Sequence, residues 1–252
     1  MRRLFISDLH LSPANPELTQ LACDFLRAQN TLIDECYILG DIFNTWLGDD
    51  LVPEAFLPFV DCLKSLSAKG VRLYLMVGNR DFMLGQTFAK RVGATLIDDG
   101  YQLELGDRKA MLLHGDTLCT DDISYQRYRR IVRTPWLQWC FLHLPSSLRQ
   151  RISDAIINKS KQKKQHKTAM IMDVNLAEVN SVMTSAGINL LIHGHTHRPA
   201  IHTLNGLGQT ECHRVVLGDW QEGSASYLIT DDQQLMLHDH RVSEEEALLR
   251  LT

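Results

Sequence analysis

The sequence predicts an α/β (α+β) fold, and three observations lead there. Apolar runs of strand length alternate with amphipathic segments in a β-α-β-α-β order through the first two-fifths of the chain. Several of those runs end directly on a polar residue joined to a glycine. One stretch, 121–167, breaks the alternation with helical, basic and aromatic sequence. Such alternation builds a largely parallel sheet with helices on its faces. In sheets of that kind ligands gather at the carboxyl ends of the strands. The expected organisation is a single domain over 1–252 with the helical segment 121–167 inserted as a lid.

The elements follow in order. Leu4–Ser7 reads as a strand, and Asn15–Ala28 as an amphipathic helix with Leu18, Leu21, Cys23, Phe25 and Leu26 at its apolar positions. Cys36–Asp41 is a second strand ending on a Gly-Asp turn. A helix from Pro53 to Ala68 comes next, with Gly70 as its C′ residue. Val71–Val77 is a third strand. Shorter strands are expected at Thr95–Ile97, Tyr101–Leu105 and Lys109–Leu113. The stretch Asp121–Lys167 reads as helical, broken at Pro135 and Pro145. Asp173 is expected to cap a helix running through Ala186 and stopped by Gly187. Strands then resume at Ile188–Ile192, Arg214–Leu217, Ser226–Ile229 and Gln234–Leu237. The tail, with Glu244–Glu246, reads as a solvated helix or disorder.

Composition narrows the function classes. The 252 residues are 44% hydrophobic and 22% charged, ordinary for a globular protein. A net charge of −4 does not mark a nucleic-acid binder. The six cysteines are scattered without a CxxC pair, which points to a reducing compartment and no disulfides. The opening run Leu4-Phe5-Ile6 is too short for a signal peptide. No apolar run reaches the ~18 residues of a membrane span. The expectation is a cytosolic protein able to sit on a membrane surface.

Five segments share one design, an apolar strand followed at once by polar residues, in four of them with a glycine beside. They are Asp8-x-His10, Gly40-Asp41, Gly78-Asn79, His114-Gly115 and Gly194-His195-Thr196-His197. If the chain stays extended after the first strand, Asp8 and His10 point to the same side. The set Asp8, His10, Asp41, Asn79, His114, His195 and His197 offers oxygen and nitrogen but no thiolate. That suits divalent Mn, Fe or Zn. Seven donors are too many for one ion. With a bridging carboxylate they suit two ions about 3.5–4 Å apart.

These five blocks, in this order, resemble the calcineurin-like metallophosphoesterases. The resemblance implies a two-layer β-sandwich flanked by helices. It implies one metal on Asp8, His10, Asp41 and His197 and another on Asp41, Asn79, His114 and His195, with Asp41 bridging. It also implies attack on phosphorus by a metal-activated hydroxide, with Asp41, Asn79, Arg80, His114 and His195 as the catalytic set. One block departs from the family. Where Gly-Asn-His-Asp or Gly-Asn-His-Glu is common, this chain has Gly78-Asn79-Arg80-Asp81. A guanidinium stays charged and cannot donate a proton to a leaving group, but it can clamp phosphate. That favours a substrate whose leaving group is already good, such as a phosphate within a pyrophosphate.

The insert is chemically distinct. Eleven of the 26 Lys and Arg residues lie between Tyr125 and Lys167, against one acid, Asp154. Beside them are Trp136, Leu137, Trp139, Phe141, Leu142 and Leu144. Three readings compete: a solvated helical cap, a single-strand nucleic-acid groove, and a basic amphipathic lid that meets an anionic membrane and takes lipid chains. The last fits Trp beside Arg and Lys best.

The Arg80 block and this insert together resemble the branch of the superfamily that cleaves UDP-2,3-diacylglucosamine in lipid A synthesis. That resemblance implies two Mn²⁺ ions per chain and release of UMP and 2,3-diacylglucosamine 1-phosphate after attack on the phosphorus next to uridine. It implies substrate contacts from Asn79, Arg80, Asp122, Ser160, Lys164, Lys167 and His195. It further implies a monomer held peripherally on the cytoplasmic face of the inner membrane, with no nucleic-acid partner. A general metal-dependent phosphodiesterase or nuclease is the alternative enzyme. A scaffold that has lost its metals is disfavoured, because every ligand position is filled.

Overall fold

The computed structural model of the chain describes residues 1–164, 173–204, 211–231, 233–244 and 246–251. The elements run β1 (Arg3–Ile6), α1 (Pro16–Gln29), β2 (Glu35–Leu39), α2 (Leu57–Ala68), β3 (Arg72–Met76), α3 (Gln86–Arg91), β4 (Ala94–Leu96), β5 (Tyr101–Leu105) and β6 (Arg108–Leu113). The insert follows as α4 (Ile123–Val132), α5 (Pro135–Leu142) and α6 (Ser146–Lys164). Then come α7 (Leu176–Ala186), β7 (Leu190–His193), β8 (Ala200–Leu204), β9 (Cys212–Val216), β10 (Tyr227–Thr230), β11 (Gln234–His238) and β12 (Leu248–Arg250).

Two sheets form. One has the order β12-β11-β10-β1-β2-β3-β4, the other β5-β6-β7-β9-β8. The β1-β2-β3-β4 block is parallel, as is β6-β7-β9. Side chains alternate across a strand with period two, and this alternation sorts the core. Leu4, Ile6, Cys36, Ile38, Leu73 and Leu75 pack with residues of α1 and α2. Their neighbours Phe5, Tyr37, Leu39 and Met76 point the other way and meet Leu112, Leu190, Ile192 and Val215 of the second sheet. Met111, Leu113 and Leu191 pack with Val179 and Met183 of α7. The result is the expected β-sandwich with helices on both outer faces.

Parallel register is visible in an aromatic ladder. Phe5 pairs with Tyr37 and Tyr37 with Tyr74. Their rings stack with centroids 4.9 and 4.5 Å apart. At the amino ends of the same strands, buried Glu35 accepts hydrogen bonds from Arg3, Arg72 and Tyr37. The opposite, carboxyl ends are left for the polar turns.

Several expectations need correction. Asp173 does not cap α7. Asn175, immediately before Leu176, accepts from the amides of Ala177 and Glu178, while Asp173 pairs with Arg198. The tail is neither helix nor disorder where it is described: Leu248–Arg250 adds a strand to β11, with Leu249 packing on the inter-sheet core. The glutamates hid the alternation of Ala247, Leu249 and Leu251. Helix α3 and strand β8 went unread, the first because six residues are too short to display a helical period. The insert breaks where the prolines predict: α5 starts at Pro135 and α6 directly after Pro145.

Candidate metal centre

Strand ends from both sheets meet at one place. Asp8 and His10 follow β1, Asp41 follows β2, Asn79 follows β3, His114 follows β6, and His195 and His197 follow β7. All seven residues of the expected donor set converge there. The backbone that delivers them is not extended. Asp8, His10, Asp41, His195 and His197 have φ of 54°, 50°, 51°, 68° and 57°, and no other described non-glycine residue has positive φ. Left-handed backbone is uncommon outside glycine, with Asn, Asp and His several-fold enriched in it. Strained residues of this kind cluster at functional sites. Thus Asp8 and His10 meet through two left-handed turns, not through the same-side geometry of an extended segment.

The glycines serve close approach. A Cβ on Gly78 would lie 2.2 Å from Asp41 Oδ1, and one on Gly194 would lie 2.2 Å from Asp8 Oδ2. Only glycine lets these loops pass behind the two carboxylates.

Each carboxylate is aimed by its partners. Asp8 Oδ2 accepts from Ser7 Oγ at 2.6 Å and from the His195 amide at 2.8 Å. Its Oδ1 then faces His197 Nε2 at 3.3 Å and His10 Nε2 at 3.8 Å. Asp41 presents Oδ1 to His114 Nε2 at 3.7 Å and Oδ2 to His10 Nδ1 at 3.9 Å. The Arg80 amide donates to Asp41 Oδ1 at 2.8 Å, and Arg80 Nε stands 3.6 Å from Oδ2. Asn79 Oδ1 lies 2.9 Å from His114 Nε2 and 2.8 Å from His195 Nδ1.

The electrostatics call for cations. Burial, with Asp81 and Asp8 nearby, pushes the Asp41 carboxyl up to about 7 against the pull of His114. For Asp8 burial is outweighed by His197, His114 and His10, and its carboxyl stays well below the usual range. Burial pushes His10 and His195 down to about 3, which keeps their imidazoles neutral with lone pairs available. His114 is also buried, yet Asp41, Asp8 and Asp116 push it up to about 9, so positive charge is favoured at that position.

These residues fit divalent ions. Asp8, His10 and His197 bring one donor atom each within 4.8 Å of one another, and so do Asp8, Asp41 and His114. Asp8 belongs to both groups. Among the described residues His10 Nδ1 is buried with no hydrogen-bond partner, as a nitrogen reserved for a metal would be. His114 Nδ1 donates to the Leu39 carbonyl at 2.9 Å, which directs Nε2 at the centre.

Comparison with known proteins gives the family. Residues 1–199 match the model of the calcineurin-like phosphoesterases. The chain belongs to that family. Among the phosphoesterase's relatives, a UDP-2,3-diacylglucosamine hydrolase of Aliivibrio fischeri is 45% identical over 94% of this chain and 98% of that protein. The protein of the same name from Haemophilus influenzae is 47% identical over 90% and 94%. That from Vibrio cholerae is 44% identical over 94% and 98%. The phosphoesterase is therefore a hydrolase that uses divalent metal.

Sequence reasoning missed the residues that support the phosphoesterase's ligands. Buried Asp81 accepts from the amides of Gly78 and Ile42, each at 2.7 Å, and so ties the loops after β2 and β3 together. Asp219 stands 3.6 Å from His197 Nδ1 and is itself held by Arg241. His193, next to the ligand motif, is not a donor to the centre. Its Nδ1 donates to the Gly194 carbonyl and its Nε2 faces Arg214. Asp81 was visible only as the last residue of its block; its reach to Ile42, that of Asp219 to His197 and that of His193 to Arg214 carry no spacing signal, because those partners come from remote segments.

The insert borders the centre through α4. Tyr125 stacks on His195 with centroids 6.2 Å apart and donates to buried Asp116. Arg129 Nε donates to Asp116 at 2.7 Å, and Arg133 donates to the Gly78 carbonyl at 2.9 Å. Arg149 forks onto Asp50 and the Leu47 carbonyl. Three of the eleven basic residues thus anchor the insert inward, which corrects the picture of a wholly outward basic face. Several of its apolar side chains do face out, with Trp136 and Trp139 66% and 62% exposed, while Leu137, Phe141 and Leu144 are half-buried. Of the expected substrate contacts in the insert, Asp122 caps α4 by accepting from the Tyr125 amide. Ser160 and Lys164 fall in the last turns of α6, and Lys167 lies outside the described residues.

Proposed function

We propose that the phosphoesterase hydrolyses the pyrophosphate bond of UDP-2,3-diacylglucosamine in lipid A synthesis, giving UMP and 2,3-diacylglucosamine 1-phosphate. Relatives of that name, 44–47% identical over nearly the whole chain, support the substrate. The observation that carries the reading is the pairing of two donor groups with Arg80 Nε, 3.6 Å from Asp41, at the foot of an insert with outward tryptophans.

Two Mn²⁺ ions, when bound, would neutralise charge on the phosphate oxygens and make a water acidic enough to react near neutral pH. Asp8, His10 and His197 would hold one, and Asn79, His114 and His195 the other. Asp41 would serve both, since its two oxygens face His10 and His114 separately. Arg80 draws the pyrophosphate in through the donor fork of its guanidinium. The oxygen of water adds to the phosphorus next to uridine. The bond from that phosphorus to the bridging oxygen breaks, and the sugar phosphate leaves as a stable anion. That departure needs no general acid, which agrees with Arg80 in place of the common histidine.

The outward Trp136 and Trp139, with exposed Ile131, Leu142 and Arg151, suit a peripheral contact with an anionic leaflet and cover for acyl chains. We place that contact at the cytoplasmic face of the inner membrane, made by a monomer. The test is UMP release from the acylated nucleotide sugar beside its deacylated analogue, in water enriched in oxygen-18. Label is expected in UMP, Mn²⁺ is expected to give the fastest turnover, and the acylated compound is expected to react faster. Equal turnover of both compounds, with rapid cleavage of bis(p-nitrophenyl) phosphate, would instead establish a general phosphodiesterase.

A further inference from the structure

Beside His197, on the outer face of the second sheet, lies a cleft of about 370 Å³. Asp173, Thr196, Arg198, His202, Arg214 and Arg241 form much of its wall. The face follows from strand alternation. Arg214 shares a side of β9 with Cys212, which packs near α7, while Val215 points into the inter-sheet core. His202 is the direct cross-strand partner of Arg214.

The charges in this wall are unequal. Asp173 is its one carboxylate and is paired with Arg198. Arg241 is forked onto Asp239 and Asp219. Arg214 has no carboxylate at ion-pair distance among the described residues. It is 6% exposed, its Nη1 lies 3.2 Å from His193 Nε2, and its Nε has no hydrogen-bond partner there. Thr196 Oγ1, between the two candidate ligands His195 and His197, is likewise buried without a partner among the described residues. A buried donor left unsatisfied carries the desolvation penalty of a polar group with no partner. Both residues line the cleft, where three arginines stand against one carboxylate, and that marks a place suited to an acceptor-rich anion.

We propose that this cleft is an oxyanion subsite that takes the phosphate of a phosphomonoester. Arg214 and Thr196 supply hydrogen-bond donors toward the phosphate oxygens, and the other arginines strengthen the attractive field. The volume exceeds that of a phosphate and lies in the range of roughly 300–1,000 Å³ that holds small organic ligands, so an attached organic body is accommodated. Inorganic phosphate and a nucleoside monophosphate share this chemistry. The proposal concerns a cleft that shares only His197 with the donor set and stands whether or not the substrate reading above holds.

Calorimetric titration of the full-length protein tests it, in the presence of a chelator so that the metal centre does not compete. Inorganic phosphate, UMP and uridine are the three titrants. Binding of phosphate, or of UMP but not uridine, is expected. Arg214→Gln is expected to weaken it at least ten-fold, Arg198→Ala several-fold, and Asp41→Asn not at all. Saturable binding of phosphate identifies a general oxyanion site, and binding of UMP alone identifies a nucleotide site. Arg198 is surface-accessible, so its variant tests the cleft even if Arg214→Gln fails to fold. Absence of binding by both anions, equal binding of uridine, or affinity lost in Asp41→Asn but kept in both arginine variants would overturn the proposal. Cleavage of the lipid substrate is measured separately, so either reading can fail alone.

Discussion

Replacing Gly78 by alanine isolates the geometry of the centre from its chemistry, because no donor atom is removed. The added methyl would lie 2.2 Å from Asp41 Oδ1 and 2.3 Å from the Asp41 amide nitrogen. Ordinary contact begins near 3.4 Å. Asp41 is buried, is held by the Arg80 amide, and has Asp81 behind its own backbone. The carboxylate must therefore move by about 1 Å, a misplacement that can cost roughly a hundred-fold in rate. Overpacking adds about 1–3 kcal/mol of destabilisation. Gly70→Ala is the control. Nothing lies within 4 Å of its added methyl, but its φ is +92°. It should lose about 1 kcal/mol through backbone strain alone and keep full turnover. Urea unfolding, metal content and initial rates of UMP release separate the two outcomes. A Gly78→Ala protein with wild-type metal content and a rate within three-fold of wild type would refute the reasoning.

Other expectations are narrower. Arg129→Met removes a close partner of fully buried Asp116 and should cost about 3 kcal/mol in urea unfolding, with metal content retained. Glu35 carries a depressed carboxyl: burial alone would raise it, but the hydrogen bonds from Arg72, Arg3 and Tyr37 outweigh that. Its contribution is therefore full above the ordinary value of 4.5 and is lost as pH falls through the lower folded value. The gap in melting temperature between wild type and Glu35→Gln should accordingly be widest near neutrality and close toward pH 3. Asp41→Ala should lower UMP release further than His197→Ala, since Asp41 faces both histidine groups; equal residual rates with metal retained would contradict this. Trp136→Ser with Trp139→Ser should weaken sedimentation with anionic vesicles and leave turnover of a water-soluble phosphodiester unchanged.

The donor set was legible because each member lies just after an apolar strand, in most segments with a glycine in the same turn. The sandwich followed from the same strands. What could not be read was everything that acts across long sequence separations. Asp81 reaches back about forty residues to the loop after β2, and Arg241 reaches Asp219 and through it His197. The insert was legible as three helices because prolines punctuate it. Its inward anchors were not, because Arg129, Arg133 and Arg149 have the same composition signal as arginines that face solvent. Asp173 looked like a cap by type, yet the capping geometry selects the residue directly before the first turn, Asn175.

The five left-handed residues also limit how this centre can change. Asp and His tolerate that backbone better than most side chains, and they are also good donors to hard and borderline ions. Other L residues meet a backbone penalty of about 1–2 kcal/mol before any question of metal affinity arises. A glutamate or cysteine substituted at Asp8, His10, Asp41, His195 or His197 would have to overcome that penalty first. The loop conformation thus acts as a filter on donor chemistry, biasing single mutations away from a thiolate-rich centre and toward the oxygen and nitrogen set already in place.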